Sequence, residues 1–139
     1  VVKDFWPLKE KGSKNFGIKT YETVKNYSIN YRETKVGFDY RMYYLLFEHD
    51  RRMVEKLNYI CEHGYADFAT LGQEISELGE LTDSLYQILT KAIQYSYVPP
   101  TDEQVKEITD RLAEDYKKEK ALYERIINKF YMSRAQKTA

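Results

Sequence analysis

The chain has 139 residues, of which 42% are hydrophobic and 32% charged, and its 22 basic residues balance its 22 acidic ones. This composition excludes wholesale disorder, because there is enough apolar surface to build a core. The longest apolar runs, such as residues 43–47, fall far short of the ~18 residues that a membrane span requires. A single cysteine excludes an internal disulfide. We expect one soluble domain.

The first 37 residues carry an excess of positive charge. They contain eight basic and four acidic residues, a net charge of +4, so residues 38–139 sum to −4. Residues 1–17 include Pro7, Gly12 and Gly17 and few periodic apolar positions, which predicts an extended arm. Such an asymmetry is typical of an arm that binds a polyanion, although ordinary scatter of charge would also produce it.

Residues 18–36 have the pattern of a helix with two distinct faces. Its apolar and basic side chains follow neighbouring stripes, Val24, Tyr27 and Tyr31 on one and Lys25, Arg32 and Lys35 on the other. Nucleic-acid affinity comes mostly from phosphate neutralisation by Lys and Arg, and aromatic rings between the cations can stack on bases. The same rings could instead attach the arm to the rest of the protein or to another copy.

Hydrophobic periodicity predicts a helical bundle in residues 38–139, with helices at about 38–63, 66–78, 81–97 and 102–133. Gly64 provides a stop for the first helix. A glycine inside a helix costs ~1 kcal/mol relative to Ala, so a break or a close helix crossing is predicted near Gly79. Thr101 and Gln104 form a capping box for the last helix. The expected fold is all-α, a four-helix bundle with an N-terminal arm, residues 1–37.

No motif for catalysis or for metal binding is found. A carboxylate-bridged di-metal bundle needs Glu-x-x-His pairs, and no Glu in this sequence has a His three residues later. A Gly-x-Ser-x-Gly elbow, a phosphate loop and a His-Glu-x-x-His pair are also absent. His49 and His63 are interpreted as satisfied or surface histidines, and Cys61 as a small buried hydrophobe. We expect no enzyme activity, no cofactor and no metal site.

Features spread over the whole chain are similar to those of one family of viral proteins. They are the length, the basic arm ending in Asn26-Tyr27-Ser28-Ile29-Asn30-Tyr31-Arg32, the helical body from Phe38 to about Ser133, and the segment at 39–50, DYRMYYLLFEHD. In these features the chain resembles the major coat proteins of filamentous archaeal viruses, the lipothrixvirus and rudivirus group.

The resemblance implies a structural role with double-stranded DNA as partner. In that family a coat protein pairs with a second copy or with a paralogous coat protein. The N-terminal helices of the pair wrap A-form DNA along a helical filament. The four-helix bodies form the outer shell of the virion, in some members beneath an envelope, after synthesis in the host cytoplasm.

The resemblance also assigns residues to the DNA. The DNA-facing cations are expected to be Lys11, Lys14, Lys19, Lys25, Arg32, Lys35 and Arg41. Independently of the resemblance, the aromatic residues interleaved with these cations are expected to pack on DNA or on a neighbouring subunit: Phe16, Tyr21, Tyr27 and Tyr31. The chain departs from a DNA sheath in its modest charge, and in Glu22 and Glu33, which fall within the predicted arm helix. Either these acids face a neighbouring subunit or the partner coat protein supplies more cations.

Two other functions fit the residues. A helical adaptor would bind a protein partner through a surface rich in tyrosine, of which the chain has 14. A small DNA-binding regulator is disfavoured, because no helix-turn-helix precedes a basic recognition helix.

Overall fold

A computed structural model describes residues 21–24, 26 and 38–138, with side chains up to residue 132. Three long helices make up most of this part of the chain: α1 (Arg41–Glu62), α2 (Phe68–Tyr97) and α3 (Asp102–Thr138). Residues 21–24 and 26 are helical as well; residues 21–24 are called the anchor segment below. Because the described residues contain no strand, the predicted all-α fold is confirmed.

The three helices run up, down and up. α2 packs against both α1 and α3, and the connections at 63–67 and 98–101 are too short to let a helix return to its starting end. Pairs between α2 and α3 occur in opposite order along the two helices: Glu77 with Arg125, Ser84 with Asp115 and Lys91 with Glu107. α1 and α3 are therefore parallel to each other and antiparallel to α2.

The ends of the helices follow from local sequence. Gly64 has a φ of 76° just after α1, a conformation that favours glycine, as predicted. Asp67 caps α2 by accepting a 2.9 Å hydrogen bond from the Ala69 N–H. At α3 the Thr101 N–H donates to Gln104 Oε1 at 2.9 Å, and the Gln104 N–H donates to Thr101 Oγ1 at 3.2 Å. The predicted capping box is therefore confirmed.

α2 is continuous, so the predicted break near Gly79 is wrong, and one helix replaces those expected at 66–78 and 81–97. A close crossing is also excluded, because a Cβ built on Gly72 or Gly79 would meet no atom within 4 Å. Five buried aliphatic side chains between Leu71 and Ile88 continue the apolar stripe past the glycine. Burying each contributes ~1.5–3 kcal/mol, which outweighs the ~1 kcal/mol cost of a glycine.

The anchor segment supplies the fourth helical element of the bundle. In place of the four helices expected after Phe38, residues 38–138 contain three. Tyr21 and Val24 are 2% and 0% exposed and join the core at the end of the bundle where α2 connects to α3. Around them lie side chains from all three helices, including Tyr43, Leu46, Leu85, Ile88, Val105 and Ile108. The start of the predicted arm helix therefore belongs to the body.

Candidate functional site

Most residues predicted to contact DNA lie outside the described part of the chain. Those residues are Lys11, Lys14, Phe16, Lys19, Lys25, Tyr27, Tyr31, Arg32 and Lys35. The structure describes Tyr21 and Arg41, and it places them in different environments.

Arg41 begins α1 with a side chain that is 80% exposed. Its guanidinium forms a 2.7 Å ion pair with Asp39, and Asp39 also accepts a hydrogen bond from the Arg41 backbone N–H at 2.9 Å. The Arg41 side-chain hydrogen bonds hold the pKa of Asp39 below its usual range. Arg41 is accessible to a phosphate, but its charge is partly balanced by this neighbour.

Tyr21 packs inside its own chain. The ring meets Tyr116 of α3 edge to face, with the ring centroids 5.6 Å apart, and burial raises the pKa of its hydroxyl well above the ordinary value. The structure thus gives the ring a contact within its own chain, which is the alternative that the sequence left open for the aromatic residues of the arm.

Basic side chains on the described helices are largely engaged by acidic ones. Arg51 bonds to Glu48 at 2.7 Å and to Glu55 at 2.6 Å, and Arg52 bonds to Glu48 at 3.2 Å. Further pairs are Lys91 with Glu107, Lys118 with Glu114 and Arg125 with Glu77. Exposed pairs of this kind add only ~0–1 kcal/mol to stability. They do reduce the positive charge that the body offers to a polyanion.

A group of polar side chains is buried where α1, α3 and the anchor segment meet. This buried polar cluster consists of Tyr21, His49, Asp50, Glu119 and Tyr123. Asp50 is 1% exposed, and its Oδ1 accepts a 3.0 Å hydrogen bond from the Tyr123 hydroxyl. His49 Nδ1 lies 3.1 Å from the same oxygen, so this nitrogen is the donor when Asp50 is ionised. One Asp50 oxygen is thereby satisfied, whereas Oδ2 has no partner.

Glu119 is the second carboxyl group of the cluster and is 1% exposed. Neither of its oxygens has a hydrogen-bond partner, and the buried His49 Nε2 and Tyr21 hydroxyl also have none. The Tyr21 hydroxyl and the Asp50 carboxyl are near enough to influence the pKa of Glu119, although no hydrogen bond joins either of them to it. Burial, and then the charge of Asp50, raise the pKa of Glu119 well above its ordinary value.

The cluster also brings metal-binding atoms together. One ring nitrogen of His49 and one carboxylate oxygen each from Asp50 and Glu119 all lie within 4.8 Å of one another. A search for Glu-x-x-His pairs does not find this set, because His49 and Asp50 are adjacent on α1 whereas Glu119 lies on α3. A usable signal was the heptad-like spacing of buried residues Ile108, Leu112, Asp115, Glu119, Leu122 and Ile126, which puts two acids on the core face.

The other buried acids have polar partners from a second helix. Glu74, 2% exposed, receives a 2.8 Å hydrogen bond from Lys129 Nζ. Asp115 accepts a 2.7 Å hydrogen bond from the Ser84 hydroxyl, to which Arg111 also donates. Burial raises the pKa of Asp115 in spite of these contacts. Among the described buried acids, Glu119 differs in that neither of its carboxyl oxygens has a hydrogen-bond partner.

Aromatic side chains form an exposed face along α1 and α2. Helical spacing puts them on one side of each helix, and a Phe47–Tyr86 ring contact at 5.4 Å joins the two sides. The exposed aromatic face consists of the exposed tyrosines Tyr40, Tyr44, Tyr86 and Tyr97, together with the aliphatic Ile93 and the half-buried Phe47; Tyr97 is 83% exposed. Tyrosine is enriched at protein interfaces, because it joins a large apolar ring to a polar tip.

No protein-family model, curated protein or solved structure matches the chain. Within the part of the chain that the structure describes, none of the helices combines the length and apolar character needed to cross a membrane. The viral resemblance, the DNA-binding role and the absence of enzyme activity stay predictions.

Proposed function

We propose that the chain is a structural coat protein of a filamentous virus, and that its basic N-terminal arm packages double-stranded DNA in a helical nucleoprotein filament. The observation that supports this best is the burial of Tyr21 and Val24 in the core of the helical body. An arm joined to the body at a fixed point starts from the same place in every subunit. A repeating sheath around a uniform polyanion requires such regularity.

The distribution of charge supports the same role. The first 37 residues carry +4 and the remainder −4, and many cations of the body are engaged in ion pairs. Phosphate neutralisation therefore falls to the arm. A few cations per subunit bind weakly, but repetition along a polymer makes the total attachment strong through multivalency.

The exposed aromatic face supplies a surface on which a second copy of the chain can pack. A filament needs contacts between subunits, and aromatic residues are enriched in the centres of such contacts. The same face would also serve the alternative function, an adaptor for another protein, and this alternative does not require the arm to bind DNA.

A charge-matched set of variants tests the proposal. Deleting the chain up to Phe38 would remove Tyr21 and Val24 from the core, so substitution is preferable to truncation. The arm variant is Lys11→Gln, Lys14→Gln and Lys19→Gln. Its control is Lys106→Gln, Lys117→Gln and Lys120→Gln, which removes three exposed cations from α3. Each protein, with all 139 residues, is titrated with long duplex DNA at ~50 and ~200 mM salt.

The wild type and the control are expected to bind DNA with strong salt dependence and to form filaments visible by electron microscopy. In the arm variant the slope of log K against log salt should fall by about 2–3, because each phosphate that is no longer neutralised lowers it by ~0.9. Equal loss in both variants, or salt-independent binding by the wild type, would contradict the coat-protein proposal. Absence of DNA binding with intact self-association would favour the adaptor.

A further inference from the structure

We propose that the buried polar cluster binds one divalent transition-metal ion, with His49, Asp50 and Glu119 as its protein ligands. This inference is independent of the viral function, because it depends only on side chains in the interior of the bundle.

The donor atoms are close enough to share an ion. A nitrogen of His49 and an oxygen each of Asp50 and Glu119 lie within 4.8 Å of one another. Two ligands on one Zn²⁺ are at most ~4.2 Å apart, because each bond is ~2.1 Å long. Small side-chain rotations are therefore sufficient to complete the site.

The type of donor indicates the type of metal. Mg²⁺ and Ca²⁺ are bound by oxygen atoms alone, whereas this site offers an imidazole nitrogen with two carboxylates. Mixed nitrogen and oxygen ligands suit Zn²⁺ and other first-row ions such as Mn²⁺. Zn²⁺ is the natural probe, since it binds more tightly than Mn²⁺ to most such sites.

Unpartnered atoms provide a second, independent observation. Five buried polar atoms of the cluster have no hydrogen-bond partner: Tyr21 Oη, His49 Nε2, Asp50 Oδ2 and both carboxyl oxygens of Glu119. Buried polar atoms in proteins are nearly always satisfied. A proton shared by the two acids would join only two of the five atoms. A metal ion would engage all three ligand residues at once.

The two buried carboxyl groups, Asp50 and Glu119, also favour a bound cation. Glu74, another buried acid of the bundle, is paired with Lys129 at 2.8 Å. No Lys or Arg among the described residues forms an ion pair with Asp50 or Glu119. A divalent ion would neutralise both carboxylates where burial makes their charges costly.

Tyr21 gives the site a structural consequence. Its hydroxyl lies beside Glu119 and belongs to the anchor segment, whereas the proposed ligands belong to α1 and α3. On metal binding, this hydroxyl is positioned to hydrogen-bond the Glu119 carboxylate from outside the coordination shell, an interaction that typically strengthens a site. The ion would then connect the base of the arm to the bundle.

The test uses the whole 139-residue chain. Protein is stripped with EDTA, dialysed, and equilibrated with ZnCl₂ alone, and its metal content is measured by mass spectrometry. Affinity is measured by competition with a coloured chelator, and Co²⁺ serves as a spectroscopic probe of the ligand environment. The variants are His49→Gln and Glu119→Gln, which keep side-chain volume and hydrogen-bonding capacity. The control is His63→Gln, at an exposed histidine just after the end of α1.

We expect one Zn²⁺ per wild-type chain and per His63→Gln chain. Loss of an outer-shell partner alone typically costs 10–100-fold in affinity, so His49→Gln and Glu119→Gln should each lose more than about tenfold. Circular dichroism verifies folding, and His49→Gln alone decides the matter if Glu119→Gln does not fold. The proposal is overturned if the wild type takes up well under one Zn²⁺ per chain, or if His49→Gln binds Zn²⁺ as tightly as the wild type.

Discussion

Tyr123 on α3 donates a 3.0 Å hydrogen bond to Asp50 on α1, and both side chains are almost completely buried. These two helices are not consecutive in the chain, and no loop connects them directly. The hydrogen bond is therefore a tertiary contact between α1 and α3. It also holds Asp50 in place within the buried polar cluster.

Replacing Tyr123 with Phe should destabilise the protein. The Tyr123→Phe variant keeps the ring but removes one of the two contacts of Asp50 Oδ1, and a typical hydrogen bond contributes about 0.5–1.5 kcal/mol. Urea unfolding followed by circular dichroism measures the loss. Tyr131→Phe is the matched control, because Tyr131 is 55% exposed, and its unfolding free energy should stay within about 0.5 kcal/mol of the wild type. Equal stability of both variants would mean that the bond contributes nothing.

The Glu74–Lys129 pair leads to a second prediction. Lys129→Met removes the partner of a carboxylate that is only 2% exposed. Because the lysine side chain is itself 39% exposed, we expect a loss of about 1–3 kcal/mol rather than the full cost of breaking a buried pair. Adding Glu74→Leu should recover most of it.

The exposed Lys118–Glu114 pair provides the comparison for this experiment. Both side chains are more than half exposed, so Lys118→Met should change the unfolding free energy by less than about 1 kcal/mol. A similar loss for both lysine variants would show that α3 responds to any loss of lysine and that burial is irrelevant.

Two glycines should respond to alanine in opposite directions. Gly79→Ala should stabilise the protein by about 0.5–1 kcal/mol, because the added methyl group meets open space on a helix that is already continuous. Gly64→Ala should destabilise it by about 1–2 kcal/mol, because its φ of 76° is strained for a residue with a Cβ. Thermal unfolding of the two variants measures the direction of each change in stability. A stabilised Gly64→Ala variant would contradict the positive φ at this position.

The pH dependence of stability should change when Asp115 is replaced. Burial raises the pKa of Asp115 in the folded chain, so the folded state binds this proton more tightly than the unfolded state. The wild type therefore loses stability as pH rises through the folded pKa. Asp115→Asn should be more stable than the wild type at neutral pH, and this advantage should shrink below about pH 4, near the unfolded pKa.

Glu107 should show the opposite sign. Its hydrogen bond from Lys91 lowers the pKa of Glu107, so this pair contributes stability above the unfolded pKa and loses it as pH falls through the folded value. Glu107→Gln should therefore be less stable than the wild type at neutral pH, with a difference that vanishes in acid. Urea unfolding midpoints measured between about pH 3 and 8 test Asp115→Asn and Glu107→Gln together. Parallel pH profiles of the two variants would contradict the opposite directions of the two pKa shifts.

Hydrophobic periodicity predicts the helices well. Two expectations drawn from local sequence differ from the structure, because tertiary packing decides these positions. The cost of one glycine suggests a break at Gly79, but buried side chains on both sides of it keep α2 continuous. The spacing of Tyr21 from Lys25 places this tyrosine beside the basic stripe. Its burial with Val24 depends on residues from all three helices, which no local pattern in residues 18–36 reveals.

The buried polar cluster is only partly visible in the sequence. Charged residues usually occupy solvated faces, so Asp50 and Glu119 resemble surface residues, even though the spacing of their neighbours puts both on core faces. Only the packing of α1 beside α3 brings them together. His49 belongs to the predicted inward face, but its two carboxylate neighbours could not be anticipated without the fold.

The burial of Tyr21 and Val24 also bears on the order in which the protein folds. Contacts between successive helices close short loops, whereas the Tyr21–Tyr116 contact joins residues separated by most of the chain. Closing such a long loop costs more entropy and slows the formation of the contact. We expect the three-helix body to assemble first and the anchor segment to dock late, so that attachment of the arm completes folding.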